Sequence, residues 1–180
     1  MGRLSAYNVE LKGLKEKQAS YQWTAGDEFF AIVEGEEVQK GKVNVDLTVT
    51  KASGSYVLSF SLNGFVIVTC DRCLDDMTLD IDTTGELKVR LGADFGEEGD
   101  VIIVPESDGS VNVAWYIYEF IALAIPIKHV HAPGKCNKGM MEKLDEYSSP
   151  DGPDAVADGN QAGDSRWDEL KNMNFENDND

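Results

Sequence analysis

Three cysteines and two histidines are the soft metal-binding side chains of this 180-residue sequence, and they fall into two short stretches. Cys70 and Cys73 stand in "VTCDRCLDD" (68–76); His129, His131 and Cys136 stand in "HVHAPGKC" (129–136). A Cys-x2-Cys turn brings two thiolates to one cation from a single knuckle, and a second pair three to five residues apart can close a tetrahedron around it. His131 and Cys136 have that spacing, with Pro133-Gly134 between them to turn the chain. Cys70, Cys73, His131 and Cys136 are therefore the candidate ligand set for a structural zinc, with His129 as the other imidazole in reach. A closed shell of four protein ligands leaves no position for a reacting water, so a metal there would hold the chain rather than do chemistry.

Two blander readings stay open on the sequence alone. Free cysteines are often buried small hydrophobes, and the clusters need not meet. A redox pair is the other: reactive thiols need an electropositive setting, whereas Asp71, Asp75 and Asp76 surround these, with Arg72 alone opposing them. The strand-to-helix setting of thioredoxin-like motifs is also missing. No phosphate-binding Gly-x4-Gly-Lys loop, nucleophile elbow or His-Glu-x-x-His is present. The expectation is a protein without enzymatic activity or small-molecule substrate.

Charge narrows the partners. Acids outnumber bases by 33 to 16, for a net charge of −17. Nucleic-acid binding draws most of its affinity from neutralised phosphates, and the densest basic stretch is Lys12, Lys15 and Lys17. Tight direct binding of naked RNA is not expected, and basic proteins are the partners such a field attracts. No apolar run reaches the ~18 residues of a membrane span, and "MGRLSAYNVELKGLKEKQ" lacks the apolar region of a secretory signal. A cytoplasmic location is expected.

The elements that would position the ligands are legible from periodicity. "DEFFAIVEGEEV" (27–38) has helical spacing behind an Asp27 cap, with Gly35 as its stop. From Lys42 the period becomes two: "KVNVDLTVTK", "SYVLSFSLN", "FVIVTC" and "MTLDIDTTGELKVRLG" read as strands, with Asn63-Gly64 as a hairpin turn. Val101–Val104 reads as one more strand. "SVNVAWYIYEFIALAIPI" (110–127) reads as one long buried helix, capped by Asn112 and stopped by Pro126. The expected fold is α+β: an antiparallel β meander or open barrel-like sheet, a short N-terminal helix and one long buried helix.

Residues 1–144 form the expected domain. Residues 145–180 carry eleven acids and two bases. Within them, 145–163 reads as an acidic disordered linker. Residues 164–180 read as a short docking motif and tail, with Trp167, Leu170 and Met173 at three-residue spacing behind Ser165, too short to be stable alone and so expected to dock on the chain's own core or on a partner.

Four features in order carry a resemblance: "VTCDRCLDDM" (68–77), "LAIPIKH" (123–129), "GKCNKGM" (134–140) and "DSRWDELKNM" (164–173). Together they resemble the YceD-type large ribosomal RNA subunit accumulation proteins. The first matches that family's strand followed by Cys-x-Arg-Cys-Leu, the second its Leu-Ala-Leu-Pro helix end, and the last its terminal Asp-Pro-Arg-Trp segment, with Ser165 in place of the proline. Cys70 and Cys73 fall on the family motif and Cys136 matches in order. Many relatives carry a second Cys-x-x-Cys where this chain has Cys136 alone, so His131 rests on spacing and not on the resemblance. The resemblance implies a non-enzymatic factor in large-subunit ribosomal RNA accumulation. With the acidic balance, it implies contacts with basic ribosomal or assembly proteins, and Arg166, Trp167 and Leu170 are the docking candidates. The alternatives are a zinc-stabilised interaction module unrelated to ribosomes, and a thiol redox protein.

Overall fold

Period-two alternation dominates the chain from Gln18 to Gly92, and each alternating run is a strand. The computed structural model describes residues 4–14 and 16–148. In chain order the elements are β1 (Asn8–Glu10), β2 (Gln18–Ala25), α1 (Asp27–Val33), β3 (Lys40–Ala52), β4 (Ser55–Thr69) and β5 (Asp76–Gly92). They continue with β6 (Gly96–Glu98), β7 (Val101–Pro105), β8 (Ser110–Asn112), α2 (Ala114–Leu123) and α3 (Lys138–Tyr147). All lie within residues 1–141 except α3, which runs across the division between that unit and residues 142–180.

Six strands make one open, mostly antiparallel sheet in the order β2-β3-β4-β5-β7-β6; β7 alone runs parallel to its neighbour β5. A separate two-stranded ribbon pairs β1 with β8, Asn8 opposite Asn112. The fold class is α+β, as the alternation implied. One face of the sheet is apolar: Val43, Val45, Leu47 and Val49 of β3 and Leu58, Phe60, Leu62, Val66 and Val68 of β4 are buried. α1 and α2 lie against this face. Ile117 and Ile121 of α2 are fully buried, each stabilising the fold by roughly 1.5–3 kcal/mol relative to an exposed side chain. The Tyr118 hydroxyl accepts hydrogen bonds from the Glu37 and Val38 N–H groups at 3.0 and 3.4 Å, tying α2 to the segment after α1. The opposite face is polar and exposed, with residues such as Ser59, Ser61, Asn63, Asp80 and Asp82.

Several local readings are corrected. Asn63-Gly64 is not a turn: β4 runs straight through it, and the β3–β4 hairpin closes at Ser53-Gly54, where Gly54 has φ +81°. The buried series Leu58, Phe60, Leu62, Val66, Val68 keeps its phase across Gly64, and that phase outweighs the local turn signal. Gly64 is there for close approach; a Cβ would meet the Lys42 carbonyl oxygen and lie 2.7 Å from Val43 Cα. β5 is likewise one strand through Gly85, whose missing side chain makes room for the Phe120 ring. Asp27 is the first residue of α1 and does not cap it; its carboxylate accepts from the Gly41 N–H at 2.9 Å.

The one long buried helix is also corrected. The Ser110–Asn112 stretch, with Val111 buried at its centre, is strand β8, and α2 has 10 residues, buried on one side only. Asn112 still acts at its start: the Ala114 N–H donates to Asn112 Oδ1 at 3.1 Å. Trp115 and Leu123 are exposed. β1, β2, β6 and α3 have no counterpart among the expected elements; Gly96–Glu98 lies in a strand and not in a loop. Among the described residues no helix is long and apolar enough to cross a membrane. The expected linker beyond Ser148 and the whole docking motif, Arg166, Trp167 and Leu170 included, lie outside the described residues.

Candidate metal centre

β4 and β5 form a long hairpin whose tip is the Cys-Asp-Arg-Cys turn. The Cys70 N–H donates to the Asp75 carbonyl and the Leu74 N–H to the Cys70 carbonyl, both at 2.9 Å. Leu74 takes the left-handed conformation, φ 62°, that closes the turn. Cys70 and Cys73 sit on its inner side and are buried. The second segment arrives from α2. Beyond Leu123 the chain passes Pro126 and lies against the hairpin tip: the Asp71 N–H donates to the His129 carbonyl at 3.0 Å, and the His129 N–H donates to Asp71 Oδ2 at 2.7 Å. The Asn137 amide donates to Asp75 Oδ2 at 3.1 Å on the far side of the cluster.

These bonds bring four ligand atoms together. One atom each of Cys70, Cys73, His131 and Cys136 lie within 4.8 Å of one another. Cys73 Sγ and His131 Nδ1 are 3.3 Å apart. All three cysteines are free thiols. The spacing suits soft ligands converging on one ion, whose edges in a tetrahedral thiolate and imidazole site are roughly 3.5–3.8 Å. The cluster can hold a metal ion. His129 is not part of it: its Nδ1 is 3.1 Å from the Pro126 carbonyl and its Nε2 3.5 Å from Asp71 Oδ1. It serves to clip the two segments together, a role no sequence spacing announced.

The electrostatics of the cluster treat its thiols unequally. Burial pushes the Cys70 thiol up, but the N–H groups of Cys73, His131 and Arg72 and the Cys73 side chain outweigh it and leave Cys70 lowered to about 6. Backbone donors, not the neighbouring carboxylates, therefore govern that thiol, contrary to the expectation from Asp71, Asp75 and Asp76. Burial, then hydrogen bonds to Cys73 and Cys70, raise Cys136 to about 11. Hydrogen bonds to Cys70 and Cys73 raise His131. The fold stabilises a first thiolate and resists a second one beside it. A divalent cation relieves that resistance. Cys70 is 0% and Cys73 1% exposed, whereas a reactive thiolate needs access, so the burial of this pair disfavours a redox role for it.

The family profile described as large ribosomal RNA subunit accumulation protein YceD matches residues 58–174 of this chain. The chain belongs to the YceD family. The YceD match starts inside β4 and takes in the whole centre: the hairpin tip, α2 and the segment carrying His131 and Cys136. β1, β2, α1 and β3 precede it. No match is found among curated proteins or among solved structures.

Proposed function

We propose that this protein is a non-enzymatic accessory factor for large-subunit ribosomal RNA accumulation, a cytoplasmic scaffold held by structural zinc that docks on basic ribosomal or assembly proteins. The observation that carries the role is the YceD-family match, which spans the candidate metal centre. Zinc is the ion that three thiolates and an imidazole favour, and Cys70, Cys73, His131 and Cys136 would hold it. Its chemistry there is to neutralise clustered thiolates and to join residues about sixty positions apart. The net charge of −17 supports protein contacts over a grip on RNA phosphates. Arg166, Trp167 and Leu170 complete the proposal as a docking motif.

Two measurements test this. Tagged protein is expected to co-sediment with large-subunit precursors and to stay bound to their proteins after nuclease treatment; recovery that depends wholly on intact RNA would refute the protein-contact mechanism. Zinc uptake is also expected to release protons at pH 7.5. Cys136 stays protonated until about pH 11 in the metal-free fold, whereas Cys70 is ionised above about 6. Binding must therefore expel the Cys136 proton, so apparent affinity rises with pH. Calorimetry in two buffers of different ionisation heat reads the release. Equal heats in both would rule out coordination by Cys136.

A further inference from the structure

The two edges of the six-stranded sheet are built differently. β6 ends it with three residues, Gly96–Glu98, and Glu98 is bound to Arg90 at 2.6 Å. Short, charged edge strands keep other chains from adding to a sheet. β2 ends the other side with eight residues, "QASYQWTA", and has no charge, proline or glycine. Among the described residues it pairs with β3 alone.

Its hydrogen-bond phase follows from one contact. The Lys51 N–H donates to the Lys17 carbonyl at 2.8 Å just before the strand begins. Antiparallel pairs alternate between bonded and non-bonded, so Ala19, Tyr21, Trp23 and Ala25 exchange bonds with β3. Gln18, Ser20, Gln22 and Thr24 turn their N–H and C=O groups outward, and all four are exposed. The result is a row of paired donors and acceptors about 20 Å long. The strand is not floppy: Tyr21 and Trp23 stack at 5.7 Å, and the Trp23 indole donates to the Ala6 carbonyl at 3.0 Å.

Concavities of about 650 and 310 Å³ adjoin the start and end of β2, and one of about 450 Å³ lies over the polar face that its middle shares with β3. The charged residues lining them are Glu16, Asp46 and Glu28. Lys17 and Lys51 meet at the strand's start, which leaves the middle and end of the edge acidic. Asp46 lies directly opposite Gln22 in the β2–β3 register.

We infer that the β2 edge receives an extended, lysine- or arginine-bearing segment of a partner protein as an added strand, its cations set beside Gln22–Thr24 near Asp46 and Glu28. Main-chain bonds supply the affinity in such strand addition, and side chains supply the selection. A second copy of this chain is the poorer occupant. Two molecules of charge −17 repel, and the uncharged β2 side chains offer nothing to offset that. The inference rests on the reading of this protein as a factor that docks on basic proteins, and it names the surface.

The test uses the full chain and a capped peptide of about nine alternating lysine and valine residues, long enough to span a strand. A control peptide carries N-methyl groups on alternate residues, which blocks pairing and keeps the charge. With the first peptide, amide exchange at Gln18, Ser20, Gln22 and Thr24 is expected to slow about tenfold or more. With the second it is expected to be unchanged. Ser20→Lys combined with Gln22→Lys is expected to weaken peptide binding about tenfold and leave the thermal midpoint in place. Equal binding of the N-methylated peptide would overturn the inference. So would protection elsewhere on the sheet, or protection of β2 that grows with protein concentration alone. If wild-type protein fails to co-sediment with large-subunit precursors while the peptide still pairs, the ribosomal role falls and the edge site stands. If co-sedimentation holds and the peptide does not pair, only the edge site falls.

Discussion

Cys73→Ser is expected to lower the thermal midpoint of zinc-loaded protein by roughly 12 °C and to leave a chelator-stripped sample within a few degrees of stripped wild type. An ion at about a thousandfold above its dissociation constant stabilises a fold by ~4 kcal/mol, and ~1 kcal/mol moves the midpoint of a domain this size by roughly 3 °C. Cys73 is buried, with its sulfur 3.3 Å from His131 Nδ1, so serine there removes a ligand without opening a path to solvent. Scanning calorimetry on loaded and stripped samples of both proteins decides it. A drop of the same size in both samples would mean that the thiol serves packing alone, and the zinc reading would fail.

Gly64→Ala is expected to destabilise the protein by about 3 kcal/mol or more, the upper end for overpacking. The added carbon would run into the Lys42 carbonyl oxygen and lie 2.7 Å from Val43 Cα. Both are backbone atoms of the neighbouring strand, so no side chain can swing aside. Gly96→Ala is the control: its nearest neighbour would be Ile103 Cδ1 at 4.0 Å, and a change under about 1 kcal/mol is expected there. Urea denaturation of the two variants reads the difference. Similar small losses in both would mean that β3 and β4 can separate at Gly64, contrary to the continuous pairing of the two strands.

The same glycine shows where local signals mislead. Asn63-Gly64 is a strong hairpin dipeptide, while Ser53-Gly54, which makes the actual turn, is weaker. Only the unbroken buried series of β4 separates them, and it spans more residues than a turn window. β3 was legible because four valine or leucine residues alternate without interruption. β2 is hard to read in the sequence because Ala19, Tyr21 and Trp23 alternate with glutamine, serine and threonine, a contrast too mild to register until β3 provides a mate. The expected helix starts too early because Ser110–Asn112 finds strand partners in β1, a hundred or more positions away, which no window on the sequence can see. At the metal centre the residue types were legible because soft ligands are so few. The choice of His131 over His129 was not, since it depends on Asp71 holding the backbone and ring of His129 to the hairpin tip.

The pairing of β1 with β8 sets the tempo of folding during synthesis. Asn8 finds Asn112 only after 104 further residues have been made, roughly 5–20 s at ordinary elongation rates. Until then β1 has no mate, and Cys70 and Cys73 have emerged without His131 and Cys136. The strand mate of β1 and the last two ligands therefore both arrive late, the ligand Cys136 following Asn112 by about 1–5 s on that clock.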